Sequence, residues 1–174
     1  MRHGLLTLSV AVSALASACG GGKRDATTVD GGASRLSIRM TLPAVDGGDI
    51  DLARYRGRVV VLHLFDTDTA SASLDVEELS GLTARRPEQA IVVGICLDRE
   101  GTTMARAWRR ALGVRYLVAL GDDALRQGRS PLGRFRVVPS TFVLDRAGVL
   151  VRRIERPLQR GEIEAVVADV LDAE

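Results

Sequence analysis

Lysine occurs once in the 174 residues, at Lys23, and cysteine and histidine twice each. Two cysteines are too few for a small secreted scaffold held by disulfides. Charge of either sign is not in surplus: 24 basic residues stand against 22 acidic ones, a formal net charge of +2. Nucleic-acid binding by gross charge is thereby excluded. Hydrophobic residues make up 46% of the chain, which excludes a disordered polymer. Apart from Lys23 every basic residue is an arginine, scattered along the chain, and scattered arginine reads as solvated surface rather than a phosphate-binding patch. The length fits one domain large enough to bury a real core, and no internal repeat or second domain is visible.

The first residues read as an address. Met1-Arg2-His3 is a short cationic start, and Gly4 to Ala18 (GLLTLSVAVSALASA) is an uncharged apolar run of 15 residues. That is short of the roughly 20 a membrane-spanning helix needs and fits the apolar region of a secretory signal. Leu15-Ala16-Ser17-Ala18-Cys19 resembles a bacterial lipobox, which implies a lipid on Cys19 as the first mature residue. Ala16-x-Ala18 also suits ordinary signal peptidase, which would leave a secreted soluble protein, and Cys19 can be read as a plain linker cysteine. Residues 20–34 are rich in Gly, Ser and Thr without apolar periodicity and read as a flexible tether. The expected organisation is a signal in 1–18, a lipidated end and tether in 19–34, and one folded domain in 35–174.

Within that domain strand and helix alternate. Arg58–Phe65 (RVVVLHLF) and Ala90–Leu97 (AIVVGICL) are nearly continuous apolar runs, the pattern of strands buried on both faces. Ser73–Arg85 between them reads as a helix. Thr103–Leu112 reads as a second helix whose apolar stripe is Met104, Ala107, Trp108, Ala111 and Leu112, ended by Gly113. Thr141–Leu144 and Val149–Ile154 read as a hairpin turned at Asp145–Gly148. A last helix from about Gln159 carries Ile163, Val166, Val167, Val170 and Leu171 on one face. Arg35–Leu42 and Asp49–Leu52 suggest a small β element at the front. The β-α-β order followed by a hairpin implies an α/β fold, a mixed central sheet of four to five strands with helices on both faces.

From about Leu42 onward the chain resembles the thioredoxin-like redoxins of bacterial envelopes, the TlpA-type thiol-disulfide oxidoreductases. The resembling segments are Asp51–Val61 leading into the central strand, Val92–Asp98, and Leu132–Gly148, which resembles the family's "G-V-x-x-x-P-T-x-F-L-I-D-x-x-G". The last implies that Pro139 is the family's cis-proline. In the family the chemistry lies between the central strand and the first helix, in W-C-x-x-C. There the helix N-terminus favours the thiolate of the first cysteine and the second resolves the mixed disulfide. Matched without gaps, those four positions here are Thr69, Ala70, Ser71 and Ala72, with Asp68 at the tryptophan. No cysteine lies between Cys19 and Cys96.

A hydroxyl cannot replace a thiol in disulfide exchange, and nucleophilic Ser or Thr needs a base beside it; His3 lies in the signal and His63 inside a strand. The resemblance therefore implies the thioredoxin-like fold with a degenerate dithiol site. The expected role is a non-catalytic peptide- or protein-binding member of the envelope, facing the periplasm. It would use Val138, Pro139 and Asp68, with no cofactor, metal or nucleic acid. The plainer reading of Pro139 is a turn that the fold requires whatever the chemistry.

Two alternatives remain at this level. Cys96, in the run Ile95-Cys96-Leu97, reads as a small core hydrophobe, or as a lone redox thiol that borrows a partner's cysteine. Asp66-Thr67-Asp68-Thr69 resembles the D-x-D-x-T start of haloacid-dehalogenase-type phosphatases, which implies a Mg²⁺-dependent nucleophile at Asp66, although Ala70 and the absence of a domain lysine depart from that pattern. More plainly, Asp66 or Asp68 would cap the following helix, and Gly121-Asp122-Asp123 would be a turn.

Overall fold

In the computed structural model the described residues are 27–28 and 37–173. The readings of the signal, of Cys19 and of most of the tether lie outside them, as does the side chain of Ser71.

The sheet is built outward from β4 (Val59–Phe65), every residue of which is buried. It pairs in parallel with β5 (Ala90–Cys96) and antiparallel with β7 (Ser140–Leu144), so both its edges and both its faces are used. That is why its sequence is apolar throughout rather than alternating. Beyond β5 lies β6 (Leu117–Leu120), parallel, and beyond β7 lies β8 (Leu150–Ile154), antiparallel. The order is β8-β7-β4-β5-β6, with the two-residue strand β1 (Thr27–Thr28) on the outer edge of β8. Part of the segment read as tether is thus paired to the sheet. In front, β2 (Thr41–Pro43) and β3 (Asp49–Asp51) form a separate hairpin, followed by a 3-10 turn at Leu52–Tyr55.

The sheet divides the core in two. Val59, Val61, Phe65, Val92 and Cys96 point into one cluster with α1 (Ala70–Arg85), α2 (Gly101–Ala111) and α4 (Glu162–Asp172). Val60, Leu62, Leu64, Val93 and Ile95 point into the other, under the β2–β3 hairpin and the four-residue α3 (Asp123–Arg126). The crossovers β4-α1-β5 and β5-α2-β6 advance the same way across the sheet; with the usual right-handed connection, both helices fall on one face. The mixed sheet with helices on both faces is as expected, but three of the four helices share a side.

Several expectations are corrected. α1 begins at Ala70, three residues earlier than its charged pattern suggested. β6 was not read as a strand, and Gly121-Asp122-Asp123 is not a plain turn: the Asp122 carboxylate accepts the Leu125 N–H at 2.7 Å and caps α3. α4 starts at Glu162, after Gly161 at φ 74°. The buried face of α2 is Gly101, Ala105 and Trp108, while Met104, Ala107, Ala111 and Leu112 are exposed. The helix is turned by its anchors. The Arg106 guanidinium donates to the Val45 carbonyl at 2.8 Å and Arg109 pairs with Asp46, both on the front hairpin, while Trp108 stacks on Phe65 at 4.4 Å between centroids.

Candidate functional site

β4 leaves the sheet at the end where the antiparallel β7 enters it, since their ladder closes with Leu64 opposite Ser140. The loop Asp66–Thr69 therefore emerges beside Val137–Pro139. The Val138–Pro139 peptide is cis; Pro139 is buried, Val138 half-buried and Val137 exposed. The Ser140 hydroxyl donates to the Val137 carbonyl at 2.6 Å and fixes the bend. Leu74, on the second turn of α1, is 73% exposed.

The N-terminus of α1 is held differently from the sequence reading. Thr69 is its N-cap but makes no side-chain cap bond; its hydroxyl donates to the Asp66 carbonyl at 3.0 Å. Neither the Asp66 nor the Asp68 side chain caps the helix, and no acidic residue lies in the first turn. Among the described residues no side chain caps the first turn. Ala72 is buried against the core and Asp68 is exposed. Thr67 anchors the loop to the end of β5: its hydroxyl donates to Asp98 Oδ2 at 2.6 Å and its N–H to Oδ1 at 3.2 Å.

Negative charge accumulates here. Partial burial, with Asp98 and Asp68 nearby, raises the Asp66 carboxyl above the ordinary range, and Arg126 offsets this in part. Arg126 is itself committed, donating to the Leu97 and Asp98 carbonyls at 2.8 and 3.1 Å and pairing with Asp123. Among the described residues no three His, Cys, Asp or Glu side chains come together as a metal-holding set. Cys96 ends β5 fully buried, and desolvation pushes its thiol up to about 12.

Beneath this loop lies a polar group that the sequence reading passed over. His63, in the middle of β4, and Asp75, on the core face of α1, are both about 1% exposed, with Nε2 and Oδ2 3.6 Å apart. His63 Nδ1 meets Thr141 Oγ1 at 3.0 Å across β7, and Asp75 Oδ1 accepts the Leu158 N–H at 3.0 Å. Gly94 is the strand neighbour of His63 on β5; a Cβ there would lie 2.9 Å from the Tyr116 ring, so the glycine makes room for that phenol. The available signal was an acid on the stripe Ala72, Val76, Leu79, Leu82, where α1 is otherwise apolar.

The comparisons agree with this architecture. Residues 36–153 match the AhpC/TSA family. Among solved structures, a thioredoxin-family thiol:disulfide interchange protein from Chlorobium tepidum superposes with a TM-score of 0.70 at 18% identity, covering 80% of this chain and 98% of that one. A DsbF homologue from Corynebacterium diphtheriae gives a TM-score of 0.70 at 20% identity, covering 86% and 95%. The exposed lipoprotein thioredoxin of Streptococcus pneumoniae gives 0.64 at 15% identity, covering 75% and 98%. The fold is thioredoxin-like. No curated protein matches the chain in sequence.

Proposed function

The chain belongs to the AhpC/TSA family, and from that premise we propose that it is a member without dithiol chemistry, which binds an extended peptide or a partner protein. The contact face is Val138–Pro139 together with Asp68 and the first turn of α1. One observation carries the reading: at the helix N-terminus beside the cis-proline, where the resemblance to the thiol-disulfide oxidoreductases would put two thiols, stand Thr69, hydrogen-bonded to Asp66, and buried Ala72. The exposed Leu74 and Val137 add apolar surface at this end of the sheet. The leader sequence, with Cys19 in a lipobox-like setting, supports a lipid-anchored location at the envelope, facing the periplasm. The pneumococcal neighbour, itself named a lipoprotein, is in keeping with it.

A redox role for Cys96 gains no support, because a fully buried thiol raised to about 12 supplies almost no thiolate. The Asp66/Asp68 phosphatase gains none either, since among the described residues no set of three metal-ligating side chains forms around the two acids.

The test is insulin reduction by the purified chain with dithiothreitol as reductant. A rate at the uncatalysed background is expected; turnover typical of a dithiol oxidoreductase would overturn the proposal.

A further inference from the structure

Two buried titratable groups under the binding face have no role in the function above. His63 Nε2 and Asp75 Oδ2 face each other at 3.6 Å, just beyond hydrogen-bond distance, and neither has a hydrogen-bond partner. Two buried polar atoms left unmatched side by side are disfavoured, so closing this short gap around one proton is strongly favoured. The outer atoms of the pair are engaged, Nδ1 with the Thr141 hydroxyl and Oδ1 with the Leu158 N–H. Thr141, His63 and Asp75 thus form one chain of groups running from β7 through β4 to α1.

We propose that His63 and Asp75 form a one-proton switch: loss of a proton from Asp75 reverses the direction of the hydrogen bonds along Thr141–His63–Asp75 and exchanges the tautomer of His63. In the protonated state Asp75 Oδ2–H donates to Nε2, and Nδ1–H donates to Thr141 Oγ1. In the deprotonated state one proton has left to solvent; Nε2–H donates to the Asp75 carboxylate and the Thr141 hydroxyl donates to Nδ1. The imidazole stays neutral in both. Leu158, in the connection between β8 and α4, then donates to a carboxylate rather than a carboxylic acid, a stronger bond that ties the connection more firmly to α1.

The surroundings are consistent with this. Burial lowers His63 to about 4, which keeps it neutral. Burial raises Asp75 to about 6, with the Leu158 bond opposing and the carboxylates of Glu162 and Glu78 adding to the rise. Glu162 is itself paired with Arg156. From β5 the neighbour is Gly94, with no side chain, and from the approach to β6 it is the Tyr116 phenol, whose ionisation burial suppresses.

The test is ¹⁵N NMR of the histidine rings in the full chain between pH 4.5 and 8. His63 is expected to pass from the Nδ1–H to the Nε2–H tautomer with a midpoint near 6, without imidazolium, and the Leu158 amide proton should move downfield with the same midpoint. In Asp75→Asn both transitions should vanish. Should that variant fail to fold, the ¹³C carboxyl shift of Asp75 in the unmodified chain must follow the same midpoint. An imidazolium forming near 6.5, one unchanged tautomer across the range, or a switch that persists in Asp75→Asn would overturn the proposal.

Discussion

Thr67 gives both its hydroxyl and its backbone N–H to the carboxylate of Asp98, at 2.6 and 3.2 Å, so the loop that opens α1 is tied to the end of the neighbouring parallel strand. Two donors on one half-buried carboxylate hold a loop whose helix has no side-chain cap at Thr69. Thr67→Val keeps the N–H and removes the hydroxyl; it should cost about 1 kcal/mol, and Asp98→Ala about 2 kcal/mol. Urea unfolding measures both. Equal stabilities for the three proteins would show that the tie contributes nothing.

If the proposed function is right and sulfur is all that the site lacks, supplying two thiols should confer dithiol chemistry. Thr69→Cys with Ala72→Cys places two thiols at the start of α1 beside the cis peptide. The double variant is expected to form an internal disulfide and to reduce insulin well above background. Asp68 next to the first thiol disfavours its thiolate. Adding Asp68→Trp should therefore speed the reaction further, by up to about tenfold for each pKa unit recovered. A disulfide that forms without any insulin reduction would mean that two thiols alone do not make this site a dithiol centre.

Cys96 should behave as part of the core. Its thiol is fully buried and held at about 12. In the native chain at pH 8, iodoacetamide should leave the peptide containing Cys96 unmodified, as read by mass spectrometry, and should modify it fully in denaturant. Rapid native labelling would contradict the burial. Cys96→Ala should cost on the order of 1 kcal/mol, through the small cavity it leaves.

The His63–Asp75 pair predicts an unusual pH dependence of stability. The Asp75 pKa rises on folding from 3.8 to about 6, so its contribution is present below 3.8 and is lost as pH rises towards 6. The His63 pKa falls on folding from 6.5 to about 4, so its contribution is present above 6.5 and is lost as pH falls towards 4. Between about 4 and 6 the unfolded chain holds one proton, on His63, and the folded chain holds one, on Asp75. The opposed slopes cancel and the pair contributes little pH dependence. Single variants should uncover the halves. Relative to the unmodified chain, Asp75→Asn should lose stability on acidification from 6.5 to 4, and His63→Gln should lose it as pH rises from 4 to 6. Each change should be on the order of 2–3 kcal/mol. Chemical unfolding at pH 4.5 and 6.5 gives the signs; parallel slopes in the two variants would refute the account.

The sequence alone established the two central strands, because burial on both faces writes an unbroken apolar run into β4 and β5. It also established the last helix, where Ile163, Val166, Val167 and Val170 are buried as their spacing indicated and Leu171 is half-buried. It could not reveal β6, since Leu117–Leu120 is four residues long and has no period to read, nor α3, which is a single turn set by the Asp122 cap. The face that α2 buries was misread because Arg106 and Arg109 are drawn to the front hairpin, a contact made only after folding. The pairing of His63 with Asp75 belongs to the same class. One lies on a strand and the other on a helix 12 residues later, and only the docking of α1 onto the sheet, with Thr141 in register across β7, makes a charged helix residue and a strand histidine into one buried group. Local pattern specifies which elements form; which polar groups share a proton is decided by the tertiary packing that removes them from water.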